Sequence, residues 1–158
     1  SWSTPWLTER HGYDPTWCGI MDKQVKSSLY FNDYLVKKVE FEVNENFKNN
    51  EQSIKIDFDI SHETKVKDKL MTIKLDVKVF PDMVKNDYPF SINVELIGFF
   101  SLDGDTSEIK SFEKNALAIM YPYVRSLVST YTSNSNVPTL ILPPINIVNY
   151  LKIKEDQK

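Results

Sequence analysis

Two stretches of this chain alternate apolar and polar residues so strictly that few structures besides a strand accommodate them. In one, Met71, Ile73, Leu75, Val77 and Val79 are interleaved with Lys74, Asp76 and Lys78. In the other, Phe90, Ile92, Val94 and Leu96 are interleaved with Ser91, Asn93 and Glu95. A period of two puts each set on its own face of a half-buried strand. Residues 35–44 repeat the pattern, with Val39, Phe41 and Val43 opposite Lys38, Glu40 and Glu42. A fourth strand is expected where Ile54, Ile56, Phe58 and Ile60 oppose Lys55, Asp57 and Asp59. The Asn-rich residues 44–50 read as a loop, and the charged residues 65–69 as a hairpin turn. Pro81, Asp82, Asn86, Asp87 and Pro89 mark a longer connection, and Asp103-Gly104-Asp105 ends the last strand. Consecutive strands with short links and one charged face favour an antiparallel sheet.

After Asp105 or Ser107, either of which suits an N-cap, the period changes to that of a helix running to about Ser133. Ala116, Leu117, Met120, Tyr121, Tyr123, Val124, Leu127, Val128 and Tyr131 fall on one arc of roughly 160° at about 100° per residue. That stripe is wide for a helix resting on one sheet. The opposite arc carries Asn115, Ser126, Ser129, Thr130 and Ser133, with Arg125 at its edge. Small polar residues there permit the close approach of another chain, so Ser126, Ser129, Thr130 and Ser133 are expected at an oligomer interface; a weakly charged solvated face is the alternative. Pro122 removes the amide partner of the Ala118 carbonyl, and a kink is expected. Val137, Pro138, Leu140, Ile141, Leu142, Pro143 and Pro144 then form an extended apolar connection. A short helix is expected over residues 144–153, with proline in its first turn, before a charged tail. The fold class is α+β: a four-stranded antiparallel sheet backed by a long kinked helix and a short C-terminal helix.

Residues 1–20 differ from the rest. They hold Trp2, Trp6 and Trp17, the lone cysteine Cys18, and Gly12 and Gly19, but no lysine. Met21 reads as an original start. The preceding stretch is then an appended segment, a native extension, or a client-like peptide whose tryptophans could dock in an apolar groove. Residues 21–158 form the single remaining domain. One cysteine forms no internal disulfide, which points to a reducing compartment. With a net charge of −3 and no Lys/Arg cluster, nucleic acid is not an expected partner. No apolar run approaches the length of a membrane span, and the N-terminus lacks a signal-peptide core.

Reactive chemistry is sparse. His11 lies in the unusual segment, and His62 is expected as a solvated histidine at a strand end. Cys18 has no evident base. Asp57 and Asp59 share a face that flanking lysines mark as solvated. Asp103-Gly104-Asp105 lacks the glutamate that completes a calcium loop. No catalytic residue, cofactor or metal is expected.

Three motifs carry a family resemblance. Phe100-Ser101-Leu102-Asp103-Gly104 resembles the strand end of the SecB chaperone family. Met120-Tyr121-Pro122-Tyr123-Val124-Arg125 is similar to its Phe-Pro-Tyr-Ala-Arg helix motif. Val137-Pro138 through Leu142-Pro143-Pro144-Ile145-Asn146 resembles its Pro-x-Leu-x-Leu-x-Pro-Val-Asn stretch. The likeness is specific over residues 90–151; residues 29–79 match only in strand pattern. It implies an ATP-independent holdase of a bacterial cytoplasm that binds non-native polypeptides, precursor proteins or an antitoxin tail. It also implies a homotetramer, a dimer of dimers with long helices between two eight-stranded sheets. The client groove would lie between the proline-bounded connection, the short helix and the sheet, with Tyr34, Leu140, Leu142, Ile145, Ile147, Tyr150 and Leu151 as its candidate residues. A key acidic position of the family's SecA-docking strand falls on Asn93, among Lys55, Lys74 and Lys78. That departure weighs against SecA docking, and export and antitoxin control both stay open as roles. A small apolar-ligand carrier with an α+β cavity is the competing function.

Overall fold

The structure is a computed structural model and describes residues 27–48 and 53–158. The expectations for residues 1–20, Cys18 and His11 included, fall outside the described residues. Four antiparallel strands, β1 (Ser27–Val43), β2 (Phe58–Lys67), β3 (Leu70–Val79) and β4 (Phe90–Gly104), form one sheet in the order β1-β4-β3-β2. The two strands with the strictest alternation, β3 and β4, are its centre. Their inward residues, Met71 to Val79 and Phe90 to Leu102, are buried, and the core continues into the long helix α1 (Ile109–Ser133) through Phe112, Ala116, Leu117, Met120, Val124 and Val128. Gly98 leaves the space that the Met120 thioether fills; a Cβ there would sit 2.8 Å from its sulfur.

The edges depart from expectation. β1 begins at Ser27, well before residue 35, because its pairing with β4 slips between Phe31 and Asp33 and again between Val36 and Lys38. Each slip is a bulge that moves the inward set by one residue, so Leu29 and Phe31, then Tyr34 and Val36, then Val39, Phe41 and Val43 face the helices. Strict alternation survives only in the last run. β2 starts at Phe58, which pairs with Val79, the final residue of β3. Ile54 and Ile56 pack on the core but run past the end of their neighbour and have no ladder to join. The strand continues instead to Lys67, and Asp68-Lys69 close the hairpin, with Asp68 in the left-handed region at φ 55°.

Asp105 caps the 3-10 turn that leads into α1, accepting from the Ser107 amide at 2.9 Å. Helix α1 is continuous through Pro122. The second helix, α2 (Ile147–Asp156), starts later than residue 144 and ends later than 153. Asn146 sets its start: its side chain accepts from the Asn149 amide at 3.1 Å, a cap that Pro144 could not supply. Pro143 and Pro144 stay in the extended connection.

Candidate functional site

The wide apolar stripe of α1 has two neighbours besides the sheet. One is the extended strap of residues 137–146. Four polar side chains at successive turns of α1 hold it. The Tyr121 hydroxyl donates to the Pro143 carbonyl at 2.6 Å, and Arg125 Nε–H to the Leu142 carbonyl at 2.9 Å. The Ser129 hydroxyl donates to the Leu140 carbonyl at 3.2 Å, and Thr132 Oγ1 accepts from the Leu140 amide at 2.9 Å. A strap rich in proline has few amides to satisfy but keeps its carbonyls, and these need donors. Arg125 and Ser129 therefore serve the chain's own strap. Ser126, Thr130 and Ser133 are exposed.

The other neighbour is α2. Between it, the strap, α1 and the sheet runs an apolar trough walled by Ile60, Leu75, Leu117, Tyr121, Ile145 and Ile147, with Tyr150 across it. The side chains meet so closely that no water-sized sphere fits among them. Ile145, Ile147 and Tyr150 line it and are half-buried; Leu140 and Leu151, also half-buried, pack against the core without lining it. Leu142 is 0% exposed and is part of the core rather than of an open surface. Tyr34 lies elsewhere. Its register neighbours run Tyr34, Gly98, Ile73, Thr64 from β1 across to β2, a separation of three strand spacings, about 14 Å. There its ring packs at a tilt against Tyr123, 4.4 Å between centroids, and stacks on Phe31 at 6.3 Å. Of the candidate client residues, Ile145, Ile147 and Tyr150 thus line the trough beside β2, Leu142 lies in the core, and Tyr34 stands at the β1 edge. A second cleft of about 390 Å³ opens beyond the β2 edge, between Asp59, Ser61, Asp76 and Lys78 on the sheet and Ile153 and Lys154 on α2.

His62 corrects the sequence reading most directly. It lies within β2, not at a strand end, and its side chain is only 11% exposed. Nε2 is 3.2 Å from Glu113 Oε1, and Nδ1 is 2.7 Å from the Tyr150 hydroxyl. The Thr64 hydroxyl donates to Glu113 Oε2 at 2.7 Å. A carboxylate only accepts, so Nε2 carries the proton, and in the neutral ring Nδ1 accepts from Tyr150. The hydrogen bond from His62 holds the Glu113 carboxyl below its usual range, against the opposing effect of burial. Burial, followed by the charge of Glu113, pushes the Tyr150 phenol up to about 12. Both ring nitrogens are engaged and the chain of bonds ends at a threonine that donates, so the group organises structure and presents no free base. The signal that could have found it was parity: His62 and Thr64 fall on the inward positions set by Phe58 and Ile60.

The opposite sheet face carries charges of both signs. Lys38 pairs with Glu40 at 3.0 Å, and Lys74 lies 4.0 Å from Glu63. Glu95 stands between Lys38 on β1 and Asp76 on β3, and Asn93 between Glu40 and Lys78. Burial, and then Glu95, raise the Asp76 carboxyl above its usual range. Asp57 accepts the Tyr88 hydroxyl at 2.7 Å and so ties β2 to the connection before β4. Among the described residues no cluster of three or more His, Cys, Asp and Glu is arranged to hold a metal ion, and no helix is long and apolar enough to cross a membrane.

A bulged four-stranded antiparallel sheet, a long helix across it, a proline strap and a short terminal helix make the architecture of a known chaperone class. The model of the preprotein translocase subunit SecB family matches residues 22–158. The chain belongs to the SecB family, and with that family goes a chaperone role. An uncharacterized protein of Methanocaldococcus jannaschii is 35% identical over 144 residues, covering 87% of this chain and 92% of that protein. Among solved structures, the Mycobacterium tuberculosis Rv1957 SecB-like chaperone, in complex with a ChAD peptide from the HigA1 antitoxin, superposes with a TM-score of 0.52 at 15% identity. It covers 77% of this chain and 91% of that one. This last likeness bears on the fold.

Proposed function

We propose that the protein is an ATP-independent holdase of the cytoplasm that captures apolar segments of non-native polypeptides in the trough beside α2. The observation that carries this reading is the trough itself, an apolar seam walled by a ten-residue helix with no fully buried residue, in a molecule whose other sheet face is charged. Apolar contact is non-directional, at about 25 cal/mol per Å² buried, which suits a binder that must accept many sequences. Among the described residues β2 is the outermost strand on that side, and its edge beside the cleft adds backbone donors and acceptors for an extended client.

Charge of both signs on the outer sheet face, with Asn93 in place of an acid, supports control of an antitoxin tail over docking to SecA. The exposed Ser126, Thr130 and Ser133 supply a close-approach surface for a homotetramer built as a dimer of dimers. Residues 1–20, lying before the family match, act in this reading as a tethered client; a tether of this kind raises local concentration to roughly the millimolar range. The carrier alternative needs a preformed, mostly apolar cavity of about 300 Å³ or more; the trough encloses none, and the cleft of about 390 Å³ beyond β2 is lined in part by the charged Asp59, Asp76, Lys78 and Lys154.

Aggregation suppression and native mass, measured together for the full chain and for one beginning at Met21, test the proposal. The expected result is a tetramer that suppresses aggregation, better without the first twenty residues. Failure of both forms at several-fold excess would sink the holdase reading.

A further inference from the structure

Helix α2 is docked by contacts of two kinds. Ile147, Tyr150 and Leu151 lie against the core, yet no α2 side chain is fully buried. A ten-residue helix is marginal in water on its own, so α2 persists because it is docked. Segments with few buried side chains open at far smaller cost than the whole fold. The directional contacts are the exposed Lys110–Glu155 pair at 2.9 Å, which solvent weakens, and the relay: Tyr150 to His62 at 2.7 Å, His62 to Glu113 at 3.2 Å, and Thr64 to Glu113 at 2.7 Å. His62 and Thr64 stand on β2 and Glu113 on α1, both part of the packed body. Tyr150 is the one member on a lightly held element.

With α2 in place the trough is full. Nothing as large as a water fits among Ile60, Leu75, Leu117, Tyr121 and Ile147, so a client side chain can enter only where Ile147 and Tyr150 withdraw. We propose that the Tyr150–His62–Glu113 relay is an autoinhibitory latch that keeps α2 seated in the trough as an intramolecular occupant and so sets how readily unfolded polypeptide gains the groove. This inference rests on the holdase reading of the trough. Its physical logic is a near-balanced exchange. The apolar surface uncovered when Ile147 and Tyr150 leave is covered again by the client's, so the apolar terms largely cancel. The hydrogen bond to a mostly buried imidazole has no such replacement, and its strength decides the fraction of molecules that are open. Apparent client affinity falls in proportion to that fraction.

Tyr150→Phe keeps the ring and removes the hydroxyl. Glu113→Gln keeps the shape and removes the charge that orients the imidazole. Both variants are made in the full chain and compared with the wild type near neutral pH. Amide hydrogen exchange of Ile147–Asp156 reads the latch. Binding of a permanently unfolded, reduced and alkylated protein reads access. In each variant α2 exchange is expected to rise about five- to tenfold, the effect of losing one such hydrogen bond, with β3 and β4 unchanged and client affinity rising by the same factor. Unchanged α2 exchange in both variants overturns the latch. Faster exchange with unchanged affinity overturns the autoinhibition. If α2 exchange rises while no form binds the unfolded protein, the holdase reading fails and the latch on α2 is upheld.

Discussion

The strap and the short helix are adjacent in sequence and wall the same trough, yet they are held in opposite ways. The strap sinks Leu142 completely into the core and has three carbonyl oxygens, from Leu140, Leu142 and Pro143, fixed by α1. Helix α2 buries no side chain fully and hangs on one relay, one cap and the exposed Lys110–Glu155 pair at 2.9 Å. The difference teaches that a wall becomes fixed through volume and saturation of its carbonyls, whereas a helix whose own backbone is satisfied internally needs little from its neighbours and can leave them.

The largest effect should come from Leu142→Ala. Emptying a fully buried leucine site costs about 2–5 kcal/mol, read as a lower urea midpoint for the whole domain. A loss below about 1 kcal/mol would mean that the strap is as loosely held as α2. Tyr121→Phe removes one donor to the strap, with an expected cost of about 1 kcal/mol in the same titration. Asn146→Ala deletes the α2 cap, worth about 0.5–2 kcal/mol to the helix. Its effect should appear as faster amide exchange confined to α2 while the urea midpoint hardly moves; a matching fall in the global midpoint would erase the contrast.

The smallest effect is acid sensitivity. The Glu113 carboxyl titrates lower in the folded chain than in the unfolded one, so its contribution is present above the ordinary carboxylate range and is lost as pH falls through the depressed value. The Tyr150 phenol is raised to about 12, so its contribution holds below the ordinary phenol range and is lost as pH climbs towards that value. Helix α2 exchange followed against pH should therefore show a plateau with losses at both ends, and Glu113→Gln should remove the acid one.

Legibility in the sequence followed the regularity of each element's surroundings. β3 and β4 are paired on both sides, so every inward position is buried and the alternation is complete. β1 is an edge strand with two bulges, and each changes the parity of all residues before it; a reader of period two recovers only Lys38 to Val43. β2 was displaced because Ile54 and Ile56 are apolar and alternate yet have no partner strand, a fact that lives in the length of β3. Of the trough's lining, Ile145, Ile147 and Tyr150 were named through the family resemblance, which puts a groove between the strap, the short helix and the sheet. The split between Tyr34 and the rest depends on strand order, which a linear pattern does not carry. The engagement of Arg125 and Ser129 with the strap was hidden for a similar reason. A bare polar face looks the same whether it meets a second chain or the carbonyls of its own.

The two slips in β1 have a consequence for the solubility of the sheet. An edge strand offers unpaired amides and carbonyls to any passing strand, and a long uniform edge is a template for open-ended polymerisation. The slips divide this edge into three short runs, Ser27 to Phe31, Asp33 to Val36 and Lys38 to Val43. A partner strand meets a break in the ladder at each slip, as β4 does on the other side, so the edge is interrupted rather than uniform. Bulges of this kind are among the devices that blunt edge-to-edge association of sheets.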